Sequence, residues 1–108
     1  MKESNRLSIA ELRRVLGPLF KKHNVIKAVV FGSYARSTED RRSDLDLILI
    51  QNSDKRFFDR YDEFLDIHEH LRGLQVDLLI YTPEELERIS SRPFIRSALG
   101  EGTTIYEH

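Results

Sequence analysis

Val25-Ile26-Lys27-Ala28-Val29-Val30-Phe31-Gly32-Ser33-Tyr34-Ala35-Arg36, followed by Asp44-Leu45-Asp46-Leu47-Ile48-Leu49-Ile50, is the stretch that decides the fold. Val25 to Phe31 is apolar and β-branched, too short for a helix of its own, and stops at a glycine, so it reads as a buried strand. Gly32 allows the backbone to approach a ligand with no Cβ in the way. A short helix is expected from Ser33 through Arg36 or Ser37. The free N–H groups and partial positive charge at its start, with the Ser33 hydroxyl, suit a phosphate. Thr38 to Ser43 is polar and charged, a loop. Leu45 to Ile50 is a second apolar strand with Asp44 and Asp46 at its beginning.

Those aspartates are unusual company for a buried strand. Asp44 and Asp46 are two apart, which in a strand places both side chains on one face, where they repel unless a positive charge lies between them. A third, Asp77, interrupts the apolar run Gln75 to Tyr81, the third expected strand. Burying an unpaired carboxylate costs several kcal/mol, so Asp77 requires a cation, an arginine or a strand end. Taken singly, each has an ordinary explanation: Asp44 caps a loop, Asp46 meets Arg41 or Arg42, and Asp77 sits on a wet edge. Taken together with Gly32-Ser33, they point to a site. One magnesium ion or a pair would relieve all three, since hard carboxylate oxygens are what magnesium prefers, with water and substrate phosphates filling its remaining positions. Arg36, one turn past Ser33, is placed either to reach a phosphate or to pair with an acidic neighbour. Ser43 is expected to buttress the turn before Asp44. His68 and His70 lack zinc-ligand spacing and read as surface or packing residues.

Outward from this centre the chain alternates elements in the manner of an α/β (α+β) domain. Ser8-Ile9-Ala10-Glu11 has the form of a capping box, and Ile9, Leu12, Leu16, Leu19 and Phe20 recur at helical spacing, predicting a helix over Ile9 to Lys22 with a kink or early end at Gly17-Pro18. Phe57, Phe58, Tyr61, Phe64, Leu65, His68 and Leu71 predict an amphipathic helix over Asp54 to Leu71, ended by Gly73. Thr82-Pro83-Glu84-Glu85 is a second capping box with proline at the first helical position. Phe94 to Leu99 is a further short helix, and Thr103 to Tyr106 a last extended piece.

The 108 residues suit one domain spanning residues 1–108. A charged fraction of 32% with a net charge of -1 gives no basic bias, so direct nucleic-acid binding is not indicated. The absence of cysteine excludes thiolate metal sites and disulfides. No run approaches the roughly 18 apolar residues of a membrane span, and the N-terminus has no signal core, so a cytoplasmic protein is expected.

Gly32-Ser33, a ten-residue interval from Tyr34 to Ser43, then Asp44-x-Asp46 and a later strand aspartate, Asp77, resembles the signature of the DNA polymerase beta-like nucleotidyltransferase superfamily. Gly-Ser-Tyr-Ala-Arg with Ser-Asp-Leu-Asp-Leu is similar to its small members, the minimal nucleotidyltransferases paired with HEPN-domain proteins in toxin–antitoxin systems. The resemblance runs from about Val25 to Tyr106; it departs at Ser37-Thr38, where such sequences often read glycine and a small residue. It implies a small mixed sheet with packed helices, a triphosphate on Gly32 and Ser33, magnesium on Asp44 and Asp46, and help from Asp77 in orienting or deprotonating the attacking hydroxyl. It also implies ATP as substrate, AMP as the transferred group, and a HEPN toxin tyrosine as acceptor, which would make this chain the antitoxin. The alternatives are an antitoxin acting by contact alone, or a nucleotide-sensing module without transfer.

Overall fold

The computed structural model describes residues 7–32, 45–71 and 73–108. The expected helix after Gly32 and the polar loop before Leu45 lie outside these residues, and so do Ser33, Arg36, Arg41, Arg42, Ser43 and Asp44.

Helix α1 spans Ile9–Lys22. Its capping box is formed as expected: the Glu11 amide donates to Ser8 Oγ over 3.1 Å, and the Ser8 amide donates to Glu11 Oε1 over 2.8 Å. The helix continues through Gly17-Pro18. Pro18 faces solvent, and the wind holds because Leu12, Leu16, Leu19 and Phe20 are buried on the opposite side. Asn24, with φ of 59°, ends the helix in the left-handed conformation that asparagine tolerates.

Four strands make one mixed sheet in the order β3-β2-β1-β4: β1 Val25–Phe31, β2 Leu45–Gln51, β3 Val76–Tyr81 and β4 Thr103–Glu107. β1 pairs antiparallel with β2 and with β4, whereas β2 and β3 are parallel. The sheet is covered on both faces, which is why β1 and β2 read as nearly unbroken apolar runs. On one face Leu45, Leu47, Leu49 and Ile80 pack with Leu12, Leu16 and Phe20 of α1 and with Phe64 and Ile67 of the crossover. On the other, Phe31, Ile48 and Ile50 meet Ala98, with Leu86 and Leu99 beside them. These last come from α3, Pro83–Ile89, and α4, Pro93–Glu101, the former starting on the expected Thr82–Glu85 capping box.

The crossover from β2 to β3 departs from expectation. Instead of one amphipathic helix over Asp54 to Leu71, there is a 3-10 helix, Phe57–Phe64, and one turn of α-helix, α2, Ile67–His70. Neither has a side-chain cap at its start. Phe64 and Leu71 are buried as the stripe predicts, but Arg60 and Ile67 join them, while Phe58 is 79% and Leu65 62% exposed. The physical cause is Arg60. Its guanidinium is 4% exposed, yet each of its nitrogens is paired: Nε donates to Lys55 O over 3.1 Å, Nη1 to Ile80 O over 2.9 Å, and Nη1 and Nη2 to the two Glu85 oxygens over 2.6 and 2.9 Å. The tighter three-residue turn sets Arg60 and Tyr61 over the outer edge of β3. There the Tyr61 hydroxyl donates to Leu78 O, and with Arg60 on Ile80 O it covers an edge that would otherwise be open to another strand. Among the described residues, no helix is long and apolar enough to cross a membrane.

Candidate active site

The topology brings the ends of β1, β2 and β3 together. Phe31 pairs with Asp46 across the antiparallel ladder, and Asp46 pairs with Asp77 across the parallel one. Register partners direct their side chains to the same face, here the face carrying Phe31 and Ile48. Adjacent strands lie about 4.8 Å apart, so the Asp46 and Asp77 carboxylates stand within reach of one cation. Leu45 and Leu47, on either side of Asp46, are fully buried on the opposite face and anchor the strand that presents it.

Asp46 is half-buried and Asp77 exposed. Of the alternatives for Asp77, a cation, an arginine or a strand end, the structure shows the last, the expected wet edge. Asp77 is the second residue of an edge strand, and water reaches it. What brings it beside Asp46 is the register of the two strands.

Gly32 closes the third side. Its φ is +74°, a conformation costly for other residues, and a Cβ built on it would lie 2.7 Å from Asp46 Oδ2. The backbone thus runs closely past the carboxylate, leaving a hollow that a side chain would fill. A hard-oxygen pair beside a glycine cradle suits magnesium and phosphate. Among the described residues no three acidic or histidine side chains gather closely enough to hold a metal by themselves; Asp44 is not among those residues. His68 and His70 are both exposed, as expected of surface residues.

A pocket of about 250 Å³ opens here, lined by Phe31, Gly32, Asp46, Phe94, Ser97, Ala98 and Glu101. The last four come from α4, and the sequence reading assigned none of them to the site. Ile95 and Ala98 form the buried side of α4, and nothing local in the sequence says that its neighbouring face looks onto Gly32. A larger groove of about 500 Å³ lies toward the opposite end of β2, against Ile50, Leu86 and Leu99, away from the carboxylates.

Comparison with known proteins agrees with this fold. The model of the nucleotidyltransferase domain family matches residues 9–103. The "Putative protein adenylyltransferase MJ0435" of Methanocaldococcus jannaschii is 35% identical over 75 residues, covering 69% of this chain and 80% of that protein. A second protein of that organism, "Putative protein adenylyltransferase MJ1305", is 33% identical over 88 residues, covering 78% of this chain and 60% of its own length. Among solved structures, a "putative minimal nucleotidyltransferase" superposes with a TM-score of 0.64 at 25% identity, covering 91% of this chain and 96% of that one. A toxin–antitoxin crystal structure with AMP-PNP gives 0.66 at 18% identity over 89% of this chain and 73% of that one, a likeness of fold. The chain belongs to the nucleotidyltransferase domain family, in its minimal form.

Proposed function

We propose that this nucleotidyltransferase transfers AMP from ATP, with magnesium, to a tyrosine hydroxyl of a partner HEPN-domain toxin, and so acts as its antitoxin. The observation that carries the reading is the register of Asp46 with Asp77 beside the Gly32 cradle. The relatives named as protein adenylyltransferases and the toxin–antitoxin complex with AMP-PNP support the choice of nucleotide and partner class.

Gly32 and Ser33 bind the phosphates, with Arg36 as a further cation. Asp44, Asp46 and Asp77 are the residues that would hold magnesium, which when bound neutralises phosphate charge and orients the triphosphate for in-line displacement. Asp77, exposed on the edge strand and open to an incoming protein, orients the acceptor hydroxyl and accepts its proton. The hydroxyl oxygen forms a bond to the α-phosphorus as the bond from that phosphorus to the bridging oxygen breaks, and pyrophosphate leaves with the electron pair. The protein's contribution is positioning and charge placement, as phosphoryl-type transfer requires.

The test is mass spectrometry of a HEPN-domain toxin after incubation with the chain, magnesium and ATP. AMP on a tyrosine is the expected result; an unmodified toxin that is nevertheless neutralised would favour the second reading, neutralisation by contact. That second reading is favoured by one observation, the exposure of Phe58 and Leu65 on the crossover. An Asp44→Asn, Asp46→Asn double variant that still protects in full would establish it.

A further inference from the structure

Phe94 is the outlier of the pocket. It is 56% exposed, although it is a large apolar side chain and although Ile95 and Ala98 beside it are buried. Its ring meets that of Phe31 edge-on, with centroids 5.6 Å apart and planes at 83°. Phe31 immediately precedes Gly32, and both phenylalanines line the pocket that contains Asp46. An aromatic ring held by an aromatic neighbour, open to solvent and next to a proposed triphosphate site, is placed to receive another flat ring.

The rest of that wall has the matching polarity. Ser97 Oγ donates to Glu101 Oε2 over 3.2 Å, and both residues line the pocket. A carboxylate there repels phosphate but accepts a hydrogen bond from the amino group of a base. The volume, about 250 Å³, falls below the range of roughly 300–1,000 Å³ typical for a complete small-molecule ligand. The pocket therefore holds only part of a nucleotide: its Gly32 and Asp46 end belongs to the phosphates and metal, and its α4 wall, with Phe94 and Glu101, suits the base.

We propose that Phe94 is the stacking platform for the base of the bound nucleotide, with Glu101 facing the base's amino edge. The proposal rests on the nucleotide-site reading above and adds to it the residue that recognises the base. Base–aromatic stacking is sequence-tolerant, so Phe94 contributes affinity for nucleotides as a class.

The experiment is calorimetric titration of the full chain, in magnesium, with ATP and separately with inorganic tripolyphosphate, which has no base. Phe94→Ala is expected to weaken ATP binding on the order of tenfold, and to leave tripolyphosphate binding unchanged. Phe94→Tyr, which keeps the ring, should bind ATP within about twofold of the parent, since either ring offers a base the same kind of face. Equal ATP affinity in parent and Phe94→Ala overturns the proposal while leaving the triphosphate site standing. A parent chain that binds neither ligand overturns the site reading, and this proposal with it. Loss of both ligands in Phe94→Ala, with Phe94→Tyr normal, would assign Phe94 to supporting the pocket's shape and also overturn stacking.

Discussion

Replacing Gly32 with alanine separates the cost to the fold from the cost to the site. Alanine at φ of +74° is strained by roughly 1–2 kcal/mol, partly offset by the about 0.4–1 kcal/mol that alanine gains by restricting the unfolded chain. The net loss of stability should be about 1 kcal/mol, a fall in Tm of roughly 4–8 °C for a domain of this size. The new Cβ would also stand 2.7 Å from Asp46 Oδ2, and since that atom is the end of a flexible side chain, the carboxylate swings aside rather than the sheet opening. Misplacing a catalytic group by about 1 Å can cost on the order of a hundredfold in rate. Gly32→Ala should therefore be folded, slightly less stable, and lower in kcat/KM by on the order of a hundredfold. Gly102 supplies the contrast. A Cβ there would lie 2.5 Å from Ala98 O and 2.8 Å from Val30 O, both rigid backbone atoms. Gly102→Ala should lose more stability and keep more activity per folded molecule. The assays are thermal melts and initial rates normalised to folded protein. A Gly32→Ala protein with parental kcat/KM would refute the reasoning, and so would an activity loss no larger than its unfolded fraction.

Four further outcomes are expected. Asp77→Asn removes one of two like charges about 5 Å apart, worth about 1 kcal/mol at the high dielectric of an exposed site; the metal-free variant should melt higher than the parent, and the gain should shrink in high salt. If salt leaves that difference unchanged, repulsion is not its source. Magnesium with ATP should raise Tm more than either alone, the linked stabilisation reaching about 2.7 kcal/mol at a hundredfold excess over Kd; purely additive shifts would argue against a joint site. The Arg60 guanidinium beside it, with the Thr82 amide, holds the Glu85 carboxyl down at about 2 from its ordinary 4.5. Its contribution is thus full above about pH 4.5 and is lost as pH falls toward 2. Glu85→Gln should cost about 2 kcal/mol at neutral pH and nearly nothing at the acid end, and a penalty that stayed constant with pH would contradict this. Gly17 lies inside α1, and beyond its chain neighbours and its own helix backbone a built Cβ meets nothing within 4 Å. Gly17→Ala should therefore stabilise by roughly 0.5–1 kcal/mol, and a lower Tm would show that its helix is strained there.

The parts of the fold legible from sequence were those written in local chemistry. Ser8 with Glu11 and Thr82 with Glu85 mark helix starts because each box satisfies its own backbone donors, whatever the rest of the chain does. β1 and β2 were legible because strands buried on both faces admit little that is polar. The crossover is not legible in the same way, because apolar periodicity alone cannot show that an arginine will be drawn inside. Arg60 is buried through acceptors 20 and 25 residues away, on Ile80 and Glu85. In the site, Asp46 is legible from its spacing to Gly32-Ser33, whereas Asp77 stands beside it through strand register, which no local pattern states. Phe94, Ser97 and Glu101 were not identified, since their place beside Gly32 depends on how α4 crosses β1. That is a tertiary fact without a local signature.

The most direct test follows the phosphorus. The chain, magnesium and a HEPN-domain toxin are incubated with ATP labelled at the α-phosphate, and in parallel with ATP labelled at the γ-phosphate, using parent and Asp46→Asn protein. The account predicts α-label on a toxin tyrosine with the parent, γ-label only in released pyrophosphate, and neither product with Asp46→Asn. Label arriving from the γ-phosphate, or α-label transferred undiminished by Asp46→Asn, would contradict it.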